Sequence, residues 1–305
     1  IWSVFIKVTP AILILIFVIL AISKMLSDVL TKSLLLPIEQ MSENLDHLED
    51  ITTYKELMPF INTIQEQHKN ILMNAKMRQE FTANVSHELK TPLTSISGYA
   101  ELIENGMAKQ EDIPTFGHRI HKEAQRMITL VSDILQLSEL DGMSKQQENS
   151  PTADFVPVDL GVLVKDVATN MTVNARKAYI TLQYKVHPVT VRGSHDLLTE
   201  LVTNLCDNAI RYNRPGGHVE LSCGTNADGC PYFCVEDNGI GIPQDSQSRV
   251  FERFYRVDKS RSKATGGTGL GLAIVKHIAV LHGARIDLES TVGTGTTIRI
   301  IFPKM

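Results

Sequence analysis

Cysteine is scarce in this chain of 305 residues, and there is no excess of basic charge. The four cysteines match no zinc-binding pattern, and so few thiols in a chain of this length do not make a disulfide scaffold. We therefore expect reduced thiols. The formal net charge is −4. Because a nucleic-acid-binding surface needs a basic face, direct binding of nucleic acid is not expected.

A long hydrophobic run is present at the start of the chain. Residues 11–22 are apolar without interruption. As a helix, residues 1–22 would reach about 33 Å, which is enough to cross a bilayer. A signal peptide and a buried core helix are the alternatives. We predict a transmembrane helix over residues 1–23, and Lys24 and Lys32 weakly favour a cytoplasmic location for the chain that follows.

A heptad pattern follows this run. From Leu57 to Leu89, the residues at alternating spacings of four and three are mostly apolar, which predicts a parallel coiled coil. A plain amphipathic helix on a monomer is the alternative. Pro37 is a helix start signal ahead of this pattern. Residues 24–76, which in part resemble the HAMP linker of bacterial sensors, are predicted to form a signalling linker.

The same pattern places His87 on an exposed helix face. His87 is two residues from Val85 and from Leu89, so its side chain points roughly 200° away from both. Glu88 can accept the proton of one imidazole nitrogen and leave the other as a nucleophile, because an imidazole with a pKa near ~6.5 is largely neutral at pH 7. Thr91, one turn on, shares the His87 face and can orient a water. We predict that His87 is a nucleophile rather than a metal ligand.

A helical hairpin is predicted around His87. The first helix is expected to end near Gly106, and residues 113–134 carry an apolar stripe at helical spacing. Two such helices bury half a core, and pairing two chains as a four-helix bundle completes it. We therefore predict a homodimer through residues 77–143. Beyond a polar linker, helices interleaved with a mostly antiparallel sheet over residues 152–305 predict a two-layer α/β sandwich.

Polar residues on one helix of this second domain suggest a nucleotide site. Glu200, Asn204, Asn208 and Arg211 follow one stripe. Amide oxygens suit Mg²⁺ that shares its ligand shell with phosphates. Arg211 can pair with phosphate, and Tyr212 can lie along the nucleotide. Each of these residues alone would be read as part of a solvated face, whereas the set favours a binding site.

Two glycine-containing motifs extend this prediction. Asp237 follows a strand and can accept a hydrogen bond from an adenine amino group, while Gly239 and Gly241 let the backbone approach the base. A glycine-rich run over residues 266–272 precedes a helix, where N–H groups and the helix dipole can bind phosphates. Glycine runs also serve as hinges, and this one is no Walker loop because it lacks Gly-Lys-Ser/Thr. The candidate phosphate contacts in it are Gly267, Thr268, Gly269, Leu270 and Gly271.

A polar segment between the two glycine motifs has the features of a lid. Residues 244–265 are long and polar enough to form a mobile cover over the nucleotide. Arg253, Arg256 and Lys259 are predicted to face the phosphates.

These motifs resemble those of a known family. Residues 86–94, Ser-His-Glu-Leu-Lys-Thr-Pro-Leu-Thr, are similar to the H-box of two-component sensor histidine kinases, and the later blocks resemble the N, G1, F and G2 boxes of their ATPase domain. The resemblance implies autophosphorylation of His87 by ATP, with Glu88 as base and Thr91 supporting phosphatase activity. It also implies Mg²⁺ bound by Asn204 and Asn208.

The resemblance further implies where the chain acts and with what. The phosphoryl group would pass to an Asp of a separate cytosolic response regulator, since no receiver-like acidic pocket is visible in the sequence. The protein would lie in the bacterial inner membrane with its catalytic part in the cytoplasm. Glu200 matches a water-activating Glu of related gyrase-type and Hsp90-type ATPases and is an auxiliary candidate.

Two other classes of protein are alternatives. A gyrase-like or chaperone-like ATPase would hydrolyse ATP without phosphorylating itself, and the block around His87 argues against it. A signalling scaffold would have a degenerate nucleotide site, and the presence of Asn204, Asn208 and Asp237 argues against that.

Overall fold

The computed structural model describes residues 2–32, 58–147, 155–257 and 267–304. It divides into two compact units, Ile1–Ala83 and Asn84–Met305. The helices are α1 (Trp2–Leu30), α2 (Met58–Glu104), α3 (Ile113–Gln147), α4 (Leu160–Lys177), α5 (His195–Arg211), α6 (Gln244–Gln247) and α7 (Gly271–Leu281). The strands are β1 (Val156–Asp159), β2 (Thr181–Val186), β3 (Thr190–Gly193), β4 (His218–Thr225), β5 (Pro231–Asp237), β6 (Arg285–Thr291) and β7 (Gly295–Ile301).

The first unit contains the apolar helix. Within α1, Ile12–Leu30 is long and apolar enough to cross a membrane, as judged by length and composition. Its large side chains are exposed, Phe17 by 73%. A helix of this kind near an N-terminus is also compatible with a signal sequence. Most of the predicted linker, residues 33–57, lies outside the described residues, and α2 begins directly after it.

The second unit begins with the predicted helical hairpin. α2 continues through Pro92 and ends before Gly106, whose φ of +65° ends the helix as predicted. Arg119 of α3 crosses back to α2, where its Nη1 donates to the Tyr99 hydroxyl at 2.6 Å. Leu137 and Leu140 of α3 are fully buried. A different side of α3 exposes large apolar side chains, namely Ile128, Val131 and Leu135.

The remaining chain forms the predicted α/β domain. Five strands lie in the order β2-β4-β5-β7-β6, with β2 and β4 parallel and the other pairs antiparallel. Helices α4, α5 and α7 pack against this sheet. An apolar stripe of α5 lies in the core, where Leu198, Leu201 and Leu205 are buried. This arrangement confirms the predicted α/β sandwich.

Local signals account for the helix starts and turns. Ser194 caps α5, and its hydroxyl accepts from the Leu197 N–H at 3.5 Å. A turn joins β4 to β5, where Asn226 Oδ1 accepts from the Cys230 N–H at 2.8 Å and Gly229 has a φ of +78°. Strand β1 is not apparent in the sequence. It has four residues including Pro157 and pairs with β3, outside the main sheet.

Candidate functional site

The helix α2 presents His87 as the sequence predicts. His87 is exposed, and Glu88, rotated by about 100° along the helix, is half-buried towards α3. Pro92 has no backbone N–H group, so it cannot donate a hydrogen bond to the preceding turn of the helix. Next to it, the Thr91 hydroxyl donates to the carbonyl oxygen of His87 at 3.2 Å. The predicted nucleophile, base and phosphatase residue therefore lie within one turn of α2.

The Glu88 carboxylate has two arginine partners. Its Oε2 accepts from Arg126 Nη2 of α3 at 3.0 Å. The same oxygen lies 3.5 Å from Nη2 of Arg256, which belongs to the α/β domain. Arg256 was predicted from its lid position, and its contact with Glu88 brings the lid to the His87 helix. Arg126 was not among the predicted site residues.

A cavity in the α/β domain is lined by six of the predicted nucleotide ligands. Its volume is about 530 Å³, which suits a small-molecule site. Apolar walls, including Val235 and Ile298, face a polar rim. The predicted residues in its lining are Asn208, Arg211, Tyr212, Asp237, Gly241 and Arg256.

The turn after β5 fixes Asp237 at the cavity wall. Asp237 Oδ1 accepts from the Gly239 N–H at 2.8 Å. A Cβ on Gly239 would also lie 2.8 Å from that oxygen, so this close turn requires glycine. Burial raises the pKa of Asp237, while hydrogen bonds from the backbone of Gly239 and Thr296 lower it. The Ile240 N–H donates to the carbonyl of Tyr212 at 3.1 Å, which joins this turn to the end of α5.

The two candidate Mg²⁺ ligands face the start of α7. A Cβ on Gly271 would lie 3.0 Å from Asn204 Oδ1 and 3.7 Å from Asn208 Nδ2, so both amides crowd this glycine. Arg211 is paired with Asp207, with Nη2 to Oδ2 at 2.6 Å. Among the described residues, no group of three His, Cys, Asp or Glu side chains could hold a metal. Two neutral amides fit a metal that takes its other ligands from phosphates and water.

The glycine-rich run forms a tight turn into α7. Gly269 has a φ of +75°, and its carbonyl accepts from the Phe254 N–H at 2.9 Å. The Leu270 N–H donates to the Thr268 hydroxyl at 3.3 Å. Arg256 Nη2 donates to the carbonyl of Gly267. The first part of the lid is thus bonded to the candidate phosphate loop, whereas Lys259 and Gly266 lie outside the described residues.

The helix α3 contacts two further predicted ligands. The Thr268 hydroxyl donates to Asp133 Oδ2 at 2.6 Å. Arg253 Nη2 donates to Asp141 at 2.7 and 2.9 Å, and it also lies 3.2 Å from Nε2 of His277. Arg253 is therefore engaged by α3 and does not line the cavity.

Sequence reasoning missed the two aspartates of α3. Asp133 and Asp141 are eight residues apart, so they lie on one face of the helix near the buried Leu137 and Leu140. A charged pair beside an apolar stripe is the signal that could have indicated a docking face. The residues that contact these two aspartates, Thr268 and Arg253, are more than 100 positions away in the chain, and the sequence alone does not identify them.

Glu200 is in an acidic environment. Burial and the charge of Asp133 together raise the pKa of Glu200 to about 7, although a hydrogen bond from Asn204 lowers it. Burial also raises the pKa of Asp133. Glu200 is thus held partly protonated near neutral pH, next to one of the candidate Mg²⁺ ligands.

The substitution Glu200→Gln is expected to stabilise the protein at pH 8. The folded state raises the pKa of Glu200 from 4.5 to about 7, so folding is penalised as pH rises through this window. A neutral amide avoids the penalty, and after allowance for partial exposure we expect a gain of about 1 kcal/mol, or about 2–4 °C in Tm. Calorimetry at pH 8 and pH 5 checks this. The gain should vanish at pH 5, and an equal gain at both pH values would contradict it.

Comparison with known proteins yields two family matches. Residues 77–142 match the His Kinase A (phospho-acceptor) domain, and residues 193–305 match the histidine kinase-, DNA gyrase B-, and HSP90-like ATPase. Both matches lie within the domains described above. Residues 143–192 lie between the two matches and include β1, α4 and β2 of the α/β domain.

Curated relatives carry both domains. Sensor protein kinase WalK of Staphylococcus saprophyticus is 39% identical over 228 residues, which are 74% of this chain and 36% of the relative. Sensor-like histidine kinase SenX3 of Mycolicibacterium smegmatis is 39% identical over 242 residues, which are 79% of this chain and 61% of the relative. The chain therefore spans between 36% and 61% of the length of these relatives.

Solved structures share the fold. Histidine kinase ThkA in complex with response regulator protein TrrA aligns with a TM-score of 0.60 at 21% identity, over 84% of this chain and 69% of that chain. Full-length ShkA in complex with AMPPNP aligns with a TM-score of 0.52 at 27% identity, over 73% of this chain and 45% of that chain. The chain belongs to the family of two-component sensor histidine kinases, which confirms the resemblance seen in the sequence.

Proposed function

We propose that the protein is an ATP-dependent histidine kinase that phosphorylates itself on His87 and passes the phosphoryl group to an Asp of a separate response regulator. The contact of Arg256 carries this proposal. Arg256 lines the cavity of the α/β domain and lies 3.5 Å from Glu88, the neighbour of His87. The candidate donor and acceptor sites are therefore adjacent.

The proposed step is an in-line phosphoryl transfer. One ring nitrogen of His87 forms a bond to the γ-phosphorus while the bond from that phosphorus to the bridging oxygen breaks, and ADP leaves with the electron pair. The proton on the other ring nitrogen passes to Glu88. Catalysis rests on positioning and on stabilising the phosphate charge.

The cavity residues have separate proposed roles. Asp237 accepts from the adenine amino group, and Tyr212 lies along the nucleotide. Asn204 and Asn208 would hold Mg²⁺, which supplies positive charge to the phosphates when bound. The proposed phosphate ligands are Arg211, Arg253, Arg256, Lys259 and the residues of the loop from Gly267 to Gly271.

We also propose a homodimer at the membrane. The exposed apolar residues of α3, Ile128, Val131 and Leu135, recur at spacings of three and four, which suits a second hairpin in a four-helix bundle. The apolar helix at the start of the chain would cross the bacterial inner membrane and leave the catalytic part in the cytoplasm. The proposed domains are residues 1–23 (membrane helix), 24–76 (linker), 77–143 (hairpin) and 152–305 (ATPase).

Phosphate release is proposed as a second activity of the hairpin. Thr91 lies one turn from His87, where its hydroxyl can orient a water towards the aspartyl phosphate of the regulator. The regulator therefore binds the hairpin near His87 in both reactions.

Incubation with γ-labelled Mg-ATP tests the proposed kinase activity. The label should appear on the chain as an acid-labile and base-stable phosphohistidine, and chelation of Mg²⁺ should prevent it. Release of labelled phosphate without any label on the chain would instead identify an ATPase of the gyrase or chaperone kind.

A further inference from the structure

Arg126 of α3 forms an ion pair with Glu88, the residue proposed to accept the proton of His87. We propose that Arg126 is a positioning residue that holds the Glu88 carboxylate in place to accept the proton of His87. This inference rests on the proposed role of Glu88. It assigns a function to a side chain that touches neither ATP nor the reacting nitrogen.

The pair is internal to the hairpin. The Arg126 side chain is 14% exposed and that of Glu88 is 28% exposed, and the two residues are 38 positions apart. A guanidinium withdrawn from water is costly unless it is paired, so the contact is retained once the hairpin has formed. Arg126 Nη1 also lies 4.0 Å from Glu123 Oε2, which restrains the guanidinium from the side of α3.

The contact selects one oxygen of the carboxylate. Both described contacts of Glu88, with Arg126 and with Arg256, use Oε2. Since Oε2 is engaged by these contacts, we assign Oε1 as the oxygen that accepts the proton. Adjacent residues on a helix are rotated by about 100°, so Glu88 can reach the imidazole only in some of its rotamers, and the bond from Arg126 limits the rotamers that it adopts.

Arg126 and Arg256 differ in how firmly they hold Glu88. The Arg126 contact is 3.0 Å and lies within one hairpin, whereas the Arg256 contact is 3.5 Å and comes from the α/β domain. When Arg256 turns to the phosphates, Arg126 remains on Oε2. The carboxylate therefore keeps its orientation at the moment of phosphoryl transfer.

Autophosphorylation kinetics of Arg126→Gln in the full chain test the inference. General-base assistance is worth about 100-fold or more, and loss of its alignment is expected to cost about 10-fold in the rate at saturating ATP. KM for ATP is expected to stay unchanged, because Arg126 does not line the cavity. Arg126→Lys, which keeps the charge and a donor, should recover part of the rate.

Arg119→Gln is the matched control. Arg119 also crosses from α3 to α2, but its partner is Tyr99, three turns beyond His87. Its loss should leave the rate unchanged. In the double variant Glu88→Gln and Arg126→Gln, the rate should equal that of Glu88→Gln alone, because Arg126 acts through Glu88.

The outcomes separate this inference from the proposed function. Full activity of Arg126→Gln together with loss of activity in Glu88→Gln would overturn the inference alone. Full activity of Glu88→Gln would overturn the role of Glu88 and the inference with it. If the rate losses of the two single variants multiply in the double variant, or if KM for ATP rises, Arg126 has only a structural role. If Arg126→Gln fails to form the hairpin, the rate and KM of Arg126→Lys decide.

Discussion

The substitution His87→Gln is expected to abolish label incorporation from γ-labelled ATP. Glutamine has no nitrogen lone pair that can attack phosphorus, while its size and polarity keep the exposed helix face intact. The cavity is separate from this side chain, so ATP binding should persist. Phosphoamino-acid analysis of the labelled chain and a nucleotide-binding titration together measure both results.

His118→Gln is the control for this experiment. His118 is an exposed histidine in the same hairpin, on α3. The control should be labelled as fully as the parent. Phosphohistidine on the His87→Gln variant would contradict the assignment of the acceptor.

The second large effect is expected for Asp237→Asn, which should weaken ATP binding about 100-fold. A carboxylate offers two acceptor oxygens, whereas an amide offers one acceptor and one donor. The Gly239 N–H already requires the acceptor Oδ1, so the new amide N–H would face the donor amino group of adenine. An unmatched buried donor costs about 1–3 kcal/mol, which corresponds to the expected loss.

Isothermal titration with a non-hydrolysable ATP analogue measures this loss. Asp228→Asn is a matched control, because Asp228 lies exposed in the turn between β4 and β5. A titration with GTP is a second test of this contact, because guanine carries a carbonyl group where adenine has the amino group. Unchanged ATP affinity in Asp237→Asn would show that the carboxylate does not contact the base.

The parts of the site that depend on residues close together in the sequence could be predicted from the sequence. The stripe of Asn204 and Asn208 follows from helical spacing, and the close turn at Gly239 follows from the need for a residue without a Cβ. The apolar face of α5 was likewise predictable, since Leu198 and Leu201 recur with the helix period.

The contacts between elements could not be predicted in the same way. The sequence indicates that Arg253 is a lid cation, but it does not indicate that Arg253 pairs with Asp141. That pairing depends on how α3 packs beside α7, which involves residues distant in sequence. Strand β1 was missed because four residues with a proline carry almost no periodic signal.

The carboxylates of the hairpin engage the side chains that the triphosphate would need. The pairs are Glu88 with Arg256, Asp133 with Thr268 and Asp141 with Arg253. Under the proposed function, docking of the hairpin and binding of the nucleotide compete for these donors. Thermodynamic reciprocity then requires that docking of the hairpin weakens ATP binding by the same factor by which bound ATP weakens docking. A stimulus acting on the helices would thus set the ATP concentration at which the kinase responds, without deforming the cavity.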